Sequence, residues 1–177
     1  MTAVCAYGGS RTGSRPAYAE AARELGVEVA RRGAELVYGG GTIGLMGPLA
    51  DGALAAGGRV VGVMPRALRD RERPHERLER LELVETSQER TRRMAELADA
   101  LVALPGGFGV VAELFEAVTW RQTGLHAKPC AFLNTRGYYD QLLRQLDHAC
   151  AEGLLSEDDR ALLVVSDSPA ALVEAIA

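Results

Sequence analysis

The residues best placed for chemistry lie in Leu104-Pro105-Gly106-Gly107-Phe108-Gly109-Val110-Val111-Ala112-Glu113. An apolar run, Ala100 to Leu104, precedes them, and Leu114, Ala117, Val118 and Arg121 follow at helical spacing. The glycines therefore fall at a strand-to-helix junction. Such a junction presents unpaired backbone N–H groups at the positive end of a helix dipole, which suits a phosphate. Gly106, Gly107 and Gly109 let the backbone turn tightly and approach a ligand without an intervening Cβ. Glu113 sits about one turn into the helix. A carboxylate beside an anion site is unfavourable unless it has work to do there; the plainer reading is a first-turn acid favoured by the dipole.

Two more glycine loops must be positioned with this one. Gly8-Gly9-Ser10-Arg11-Thr12-Gly13-Ser14 follows the apolar Ala3 to Tyr7, and Gly39 to Gly47 follows Ala34 to Tyr38. Pro16 opens a helix whose buried face is Ala19, Ala22, Leu25, Val29 and Ala30. Leu45, Leu49, Ala53 and Ala56 give the next helix face, and Arg59 to Met64 the next strand, closed by Pro65. Arg66 to Arg80 breaks the pattern. It is Arg-rich with interleaved Glu, and reads as a loop or short helical excursion, a solvated surface segment rather than a mobile flap or partner surface. Leu81 to Val84 is a short strand, Gln88 to Leu97 a helix with Arg90, Met94 and Leu97 on one face, and Val110 to Thr123 a helix ending near Gly124. Pro129 to Leu133 reads as a strand and Tyr138 to Cys150 as an amphipathic helix with Leu142, Leu146 and Ala149 inward. Ala161 to Val165 reads as a last strand and Pro169 to Ile176 as a last helix.

Strands alternating with helices predict an α/β fold, a doubly wound, Rossmann-like and mostly parallel sheet with helices on both faces. In such sheets ligands bind beyond the carboxyl ends of the strands. All three glycine loops follow strands, so all three should open toward that edge. The 177 residues suffice for one domain, 1–177, and neither a linker nor a repeat divides them.

Composition narrows the partners. Hydrophobic residues make up 47% and charged residues 25%, as in a soluble globular chain. A formal net charge of -4 gives no overall attraction to nucleic acid or anionic membranes. No apolar run approaches the roughly 18 residues that span a bilayer, and the first residues carry no signal-peptide pattern. Cys5, Cys130 and Cys150 lack metal-ligand spacing and read as reduced thiols, which points to the cytoplasm. No ligand cluster for a metal is visible, and no cofactor is expected. Lys128 is the sole lysine and stands just before Pro129.

Taken together, these motifs resemble the LOG (Lonely Guy) family of cytokinin-activating nucleoside monophosphate phosphoribohydrolases, often mislabelled lysine decarboxylases. The hallmark P-G-G-x-G-T-x-x-E stands here as Pro105 to Glu113, and G-G-G-x-x-G-L-M-G as Gly39 to Gly47. Glu116 to Pro129 resembles E-x-x-T-W-x-Q-x-G-x-H-x-K-P; Gly137-Tyr138-Tyr139-Asp140 and the Gly9-Ser10 loop running into Pro16-Ala17-Tyr18 also fit. The resemblance implies a catalytic pair, Arg90 from the M-x-x-R-K segment and Glu113 from the hallmark. It implies substrate or phosphate contacts at Gly9, Ser10, Gly40, Gly41, Thr42, Gly106, Gly107, Gly109, Val110 and Glu116. Trp120 reads as packing, and His126 and His148 as structural or exposed.

The chain departs from the pattern in three places. Ser87 replaces the methionine and Thr91 the lysine of M-x-x-R-K, and Val110 replaces the hallmark threonine. The implied activity is hydrolysis of the N-glycosidic bond of a nucleoside 5′-monophosphate, a cytokinin riboside monophosphate or an AMP-like one, to free base and ribose 5-phosphate. The implied assembly is a homodimer with the site near its interface. The changes at Val110 and Thr91 keep two alternatives open: a non-catalytic nucleotide-binding or carrier protein, and a hydrolase of a different, for example pyrimidine, monophosphate. A decarboxylase is disfavoured, because pyridoxal phosphate needs a Schiff-base lysine and Lys128 is poorly placed to be one.

Overall fold

A computed structural model describes residues 1–177. Seven strands form one sheet: β1 (Ala3–Tyr7), β2 (Glu35–Tyr38), β3 (Val60–Pro65), β4 (Arg80–Val84), β5 (Ala100–Ala103), β6 (Cys130–Leu133) and β7 (Leu163–Ser166). Their order is β4-β3-β2-β1-β5-β6-β7, and every pairing is parallel. The chain winds outward from β1 to one edge, then returns to β1's other side through β5. The order therefore reverses between β1 and β5, where Tyr7 pairs with Ala103. This is the α/β doubly wound fold that the alternation predicts.

Eight helices cover the sheet: α1 (Pro16–Arg31), α2 (Met46–Ala55), α3 (Arg69–Glu72), α4 (Ser87–Leu97), α5 (Phe108–Gln122), α6 (Asp140–Ala151), α7 (Glu157–Arg160) and α8 (Pro169–Ala175). Side chains alternate across a strand, and the core divides accordingly. Val4 and Ala6 pack with Leu25 and Val29 of α1, Leu49 of α2 and Leu172 of α8. Cys5 and Tyr7 pack on the other face with Met94 of α4 and Val110 and Leu114 of α5. Both faces being covered explains why the central strands read as unbroken apolar runs.

Three expectations need correction. The last strand starts at Leu163 rather than Ala161, because α7, capped by Ser156 accepting from the Asp159 N–H, takes up the preceding residues. The amphipathic helix begins at Asp140, and none of its residues is fully buried; Leu142 and Leu146 only lean on the core. The segment from Arg66 to Arg80 is not merely solvated. It folds back on the loop after β2, the Thr42 N–H donating to the Glu72 and Arg73 carbonyls and the His75 N–H to the Gly40 carbonyl. This folding buries Glu72.

Candidate active site

A cavity of about 410 Å³ opens at the carboxyl ends of β1 and β5, where the strand order reverses. Such a crevice is where an open α/β sheet binds ligands. Its rim comes from glycine loops and its floor from side chains of α3, α4 and α5.

The turn between β5 and α5 is pinned from outside. The Leu104 N–H donates to the Tyr7 carbonyl at 3.0 Å. The Tyr139 hydroxyl donates to the Leu104 carbonyl at 2.6 Å, and the Tyr138 hydroxyl to the Gly106 carbonyl at 2.8 Å. The tyrosines after β6 thus satisfy the turn's acceptors, which gives their motif a physical role. Gly107 caps α5 in extended conformation with no side-chain hydrogen bond. The first turn-closing bond runs from the Val111 N–H to Gly107, so the N–H groups of Phe108, Gly109 and Val110 have no backbone partner. Three free donors at the positive end of a 15-residue helix suit an anion.

The loops after β1 and β2 interlock. The Leu45 N–H donates to the Gly9 carbonyl at 3.1 Å. Gly44 has φ +61°, and a Cβ there would run into the Gly9 carbonyl and the Ser10 backbone. Only glycine permits this close approach.

On the floor, Arg90 lies between two carboxylates. Its Nη1 donates to Glu72 Oε1 and Oε2 at 3.4 and 3.3 Å, and its Nη2 to Glu113 Oε1 at 3.3 Å. The three side chains are only 16%, 11% and 15% exposed, in the order Arg90, Glu72, Glu113. Burial raises the pKa of Glu113; the Arg90 guanidinium opposes this, and the Glu72 charge adds to it. Two of the buried polar atoms with no oxygen or nitrogen partner, Arg90 Nε and the Tyr7 hydroxyl, belong to residues that line the cavity, and the Tyr7 hydroxyl lies beside the Cys5 thiol. Burial holds the Tyr7 hydroxyl in its protonated, donating form.

Gly9, Ser10, Gly106, Gly107, Gly109, Val110, Arg90 and Glu113 all line the cavity. Gly40, Gly41, Thr42 and Glu116 do not. Glu116 is exposed on α5. Gly41 bridges to Pro74, and the Thr42 hydroxyl donates to the Arg73 carbonyl at 3.0 Å. A Cβ on Gly41 would lie 2.7 Å from the Glu72 carbonyl oxygen. These residues grip the segment that delivers Glu72 rather than lining the cavity themselves. Glu72 was not legible as a site residue. Its local context, Arg69-Asp70-Arg71-Glu72-Arg73, is that of any solvated charge run, and only the tertiary contact with Arg90 singles it out.

A carboxylate, an arginine and free N–H groups around one cavity suit an anionic substrate whose bond cleavage develops positive charge. The chain matches the family model described as "Possible lysine decarboxylase" over residues 46–176. It is 43% identical over 170 residues to the cytokinin riboside 5′-monophosphate phosphoribohydrolase LOG of Oryza sativa subsp. japonica, covering 96% of this chain and 70% of that protein. It is 42% identical over 171 residues to a cytokinin riboside 5′-monophosphate phosphoribohydrolase of Arabidopsis thaliana, covering 97% and 80%. The chain belongs to the LOG family.

Among solved structures, a molybdenum cofactor binding protein from Rippkaea orientalis superposes with a TM-score of 0.73 at 20% identity, covering 99% of this chain and 96% of that one. The molybdenum cofactor carrier protein of Chlamydomonas reinhardtii gives 0.73 at 22%, with the same coverage. At that identity the likeness is one of fold.

Within the LOG pattern, the resemblance assigns catalysis to Arg90 and Glu113, which are in contact here. The residues do not fit pyridoxal phosphate: Lys128 lies outside the cavity, its Nζ donating to the Ala95 carbonyl at 2.7 Å. Of the departures from the LOG motifs, Thr91 is buried, its hydroxyl donating to the Ser87 carbonyl at 3.1 Å, and it does not line the cavity. Val110 does line it. His126 packs edge-on against Trp120 with ring centroids 6.5 Å apart, away from the cavity, and His148 is exposed.

Proposed function

We propose that this LOG-family chain hydrolyses the N-glycosidic bond of a nucleoside 5′-monophosphate to free base and ribose 5-phosphate. The observation that carries this reading is the Arg90–Glu113 contact at 3.3 Å, in a cavity rimmed by the uncapped N-terminus of α5. The 5′-phosphate docks on the N–H groups of Phe108, Gly109 and Val110. The ribose then lies over Arg90 and Glu113. As the bond from C1′ to the base nitrogen lengthens, positive charge grows on the ribose, and the Glu113 carboxylate stabilises it or takes a proton from the attacking water. The water oxygen bonds to C1′, and the departing base nitrogen gains a proton. Arg90 opposes the effect of burial on this carboxylate and orients it. The names of the relatives support a cytokinin as the base.

A second reading, a non-catalytic nucleotide carrier, is favoured by Val110, which places methyl groups in the anion site where the family hallmark has a hydroxyl. The reading includes a homodimer. It is supported by the resemblance.

Base release decides between the readings. Purified protein is incubated with a panel of purine and pyrimidine nucleoside monophosphates, the matching nucleosides and isopentenyladenosine monophosphate, and free base is separated by chromatography. Release from monophosphates alone, reduced about 10²- to 10⁴-fold in Glu113→Gln with nucleotide binding retained, establishes the hydrolase and names its base. Nucleotide binding without release from any member of the panel establishes the carrier.

A further inference from the structure

The cavity's charges do not balance an anionic substrate. Its only ionisable carboxylates are Glu72 and Glu113, and its only cations are Arg90 and Arg11. Arg90 is already shared between both carboxylates. With both ionised, that trio carries a net negative charge. A phosphate monoester adds roughly 1.5 to 2 more negative charges at neutral pH. The free N–H groups of α5 supply only about half a positive charge. The LOG hallmark hydroxyl that would help is absent, because Val110 stands in its place.

Arg11 is the remaining cation. It sits in the loop after β1, lines the cavity and forms no ion pair with any carboxylate of the chain. Its backbone is held: Gly44 packs directly beneath the Gly9–Arg11 peptides, and the Leu45 N–H fastens Gly9. Its side chain is exposed and free to close on a ligand.

We infer that Arg11 is the phosphate-binding arginine of this site. It closes as a two-pronged donor over a phosphate seated on the α5 N-terminus, and it sets the preference for monophosphates over nucleosides. The choice of a nucleotide as ligand rests on the proposed function. The geometry of guanidinium and phosphate makes the contact charge-assisted and bidentate. The pairing also compensates for the missing hydroxyl at Val110 and leaves Arg90 to Glu113.

The test uses full-length protein and two measurements. Calorimetry with ribose 5-phosphate, which is not turned over, gives affinity independently of catalysis. Base release from the preferred monophosphate gives KM and kcat. Arg11→Ala is expected to weaken ribose 5-phosphate binding about 10- to 100-fold and to raise KM by the same factor, with kcat within about twofold. Arg11→Lys keeps the charge and loses the fork, so it should fall between the two. Arg11 is exposed, so both variants should melt with the wild type. Unchanged ribose 5-phosphate affinity in Arg11→Ala overturns the assignment even if wild type is a hydrolase. Loss of kcat at constant KM also overturns it. Arg11-dependent binding in a wild type that releases no base upholds Arg11 and refutes the hydrolase. A wild type that binds no ribose 5-phosphate refutes both.

Discussion

Replacing Arg90 by Met removes the one charge that holds two carboxylates in the cavity while keeping an unbranched stem of similar length. Breaking a buried ion pair from one side costs about 3–5 kcal/mol. The contacts here, 3.3 to 3.4 Å, are longer than the optimum for a charged donor, and the site opens to water through the cavity. The expected destabilisation at pH 7 is therefore about 2–3 kcal/mol. In a chain of this length that lowers Tm by roughly 5–10 °C. The sign of its pH dependence follows from Glu113. Burial already raises this carboxyl above its ordinary 4.5, and Arg90 is the foremost opposing influence. Removing Arg90 raises it further. A carboxyl whose folded pKa exceeds its unfolded value binds its proton more tightly when folded, so stability falls as pH rises from about the unfolded pKa through the folded one. The Tm gap between wild type and Arg90→Met must then widen from pH 5 to pH 8. Arg90→Met/Glu72→Gln, with one carboxylate left, must show a smaller gap than Arg90→Met alone. Thermal melts followed by circular dichroism across this range are the assay. A gap independent of pH, or an Arg90→Met protein as stable as wild type at pH 8, would refute the claim that Arg90 is there to hold these carboxylates.

Three further outcomes follow from particular contacts. Val110→Thr restores a hydroxyl beside the free N–H groups with little change of volume, and should lower the KM for a monophosphate about 2- to 10-fold; a higher KM would show that the methyl groups favour the ligand. Lys128→Met removes only a bond to the Ala95 carbonyl, so base release should stay within about threefold of wild type at a cost near 1 kcal/mol; its abolition in a folded variant would reinstate a lysine-dependent reaction. Asp99 accepts from the Thr2 N–H, the Thr2 hydroxyl and the Ala3 N–H at 2.6, 2.7 and 3.1 Å, which lowers its pKa from 3.8 to about 2. Its contribution is complete above 3.8 and lost as pH falls through about 2, so melts of Asp99→Asn and wild type should differ modestly at pH 7 and converge near pH 2. A gap that persists at pH 2 would count against this tether.

The parts of the site that could be read in the sequence are local ones. A strand, a glycine turn and an apolar helix face occupy contiguous residues, so Gly106 to Val110 announce a helix N-terminus before any tertiary contact is known. The alternation of such units fixes the parallel sheet, and with it the edge where the loops meet. What could not be read depends on contacts between distant segments. Glu72 becomes buried only because Gly40 to Thr42 bind the chain that follows it, and no periodicity in an Arg-rich run marks that event. Gly40, Gly41 and Thr42 lie outside the cavity lining for the same reason: Gly41 makes room for protein backbone, as the position of the Glu72 carbonyl beside it shows. Tyr138 and Tyr139 were visible as a motif, but their purpose, holding the carbonyls of the hallmark turn, appears only across the β5–β6 pair.

The structure also reweighs the two departures that kept a non-catalytic role open. At Thr91 the helix turns the side chain inward, where its hydroxyl returns to the Ser87 carbonyl, while Arg90 and Met94 of the same helix line the cavity. Thr91 therefore neither contacts the cavity nor disturbs Arg90. That leaves Val110. Its methyl groups pack against Gly106 so closely that a Cβ at Gly106 would lie 2.5 Å from Val110 Cγ2, which makes the valine part of the turn's own packing. The turn that presents the free N–H groups is thus kept in shape by the very residue that removes the hydroxyl. The carrier reading then rests on one hydroxyl, worth about 2- to 10-fold in binding. Against it stands a buried Arg90–Glu113 pair that phosphate binding alone does not require.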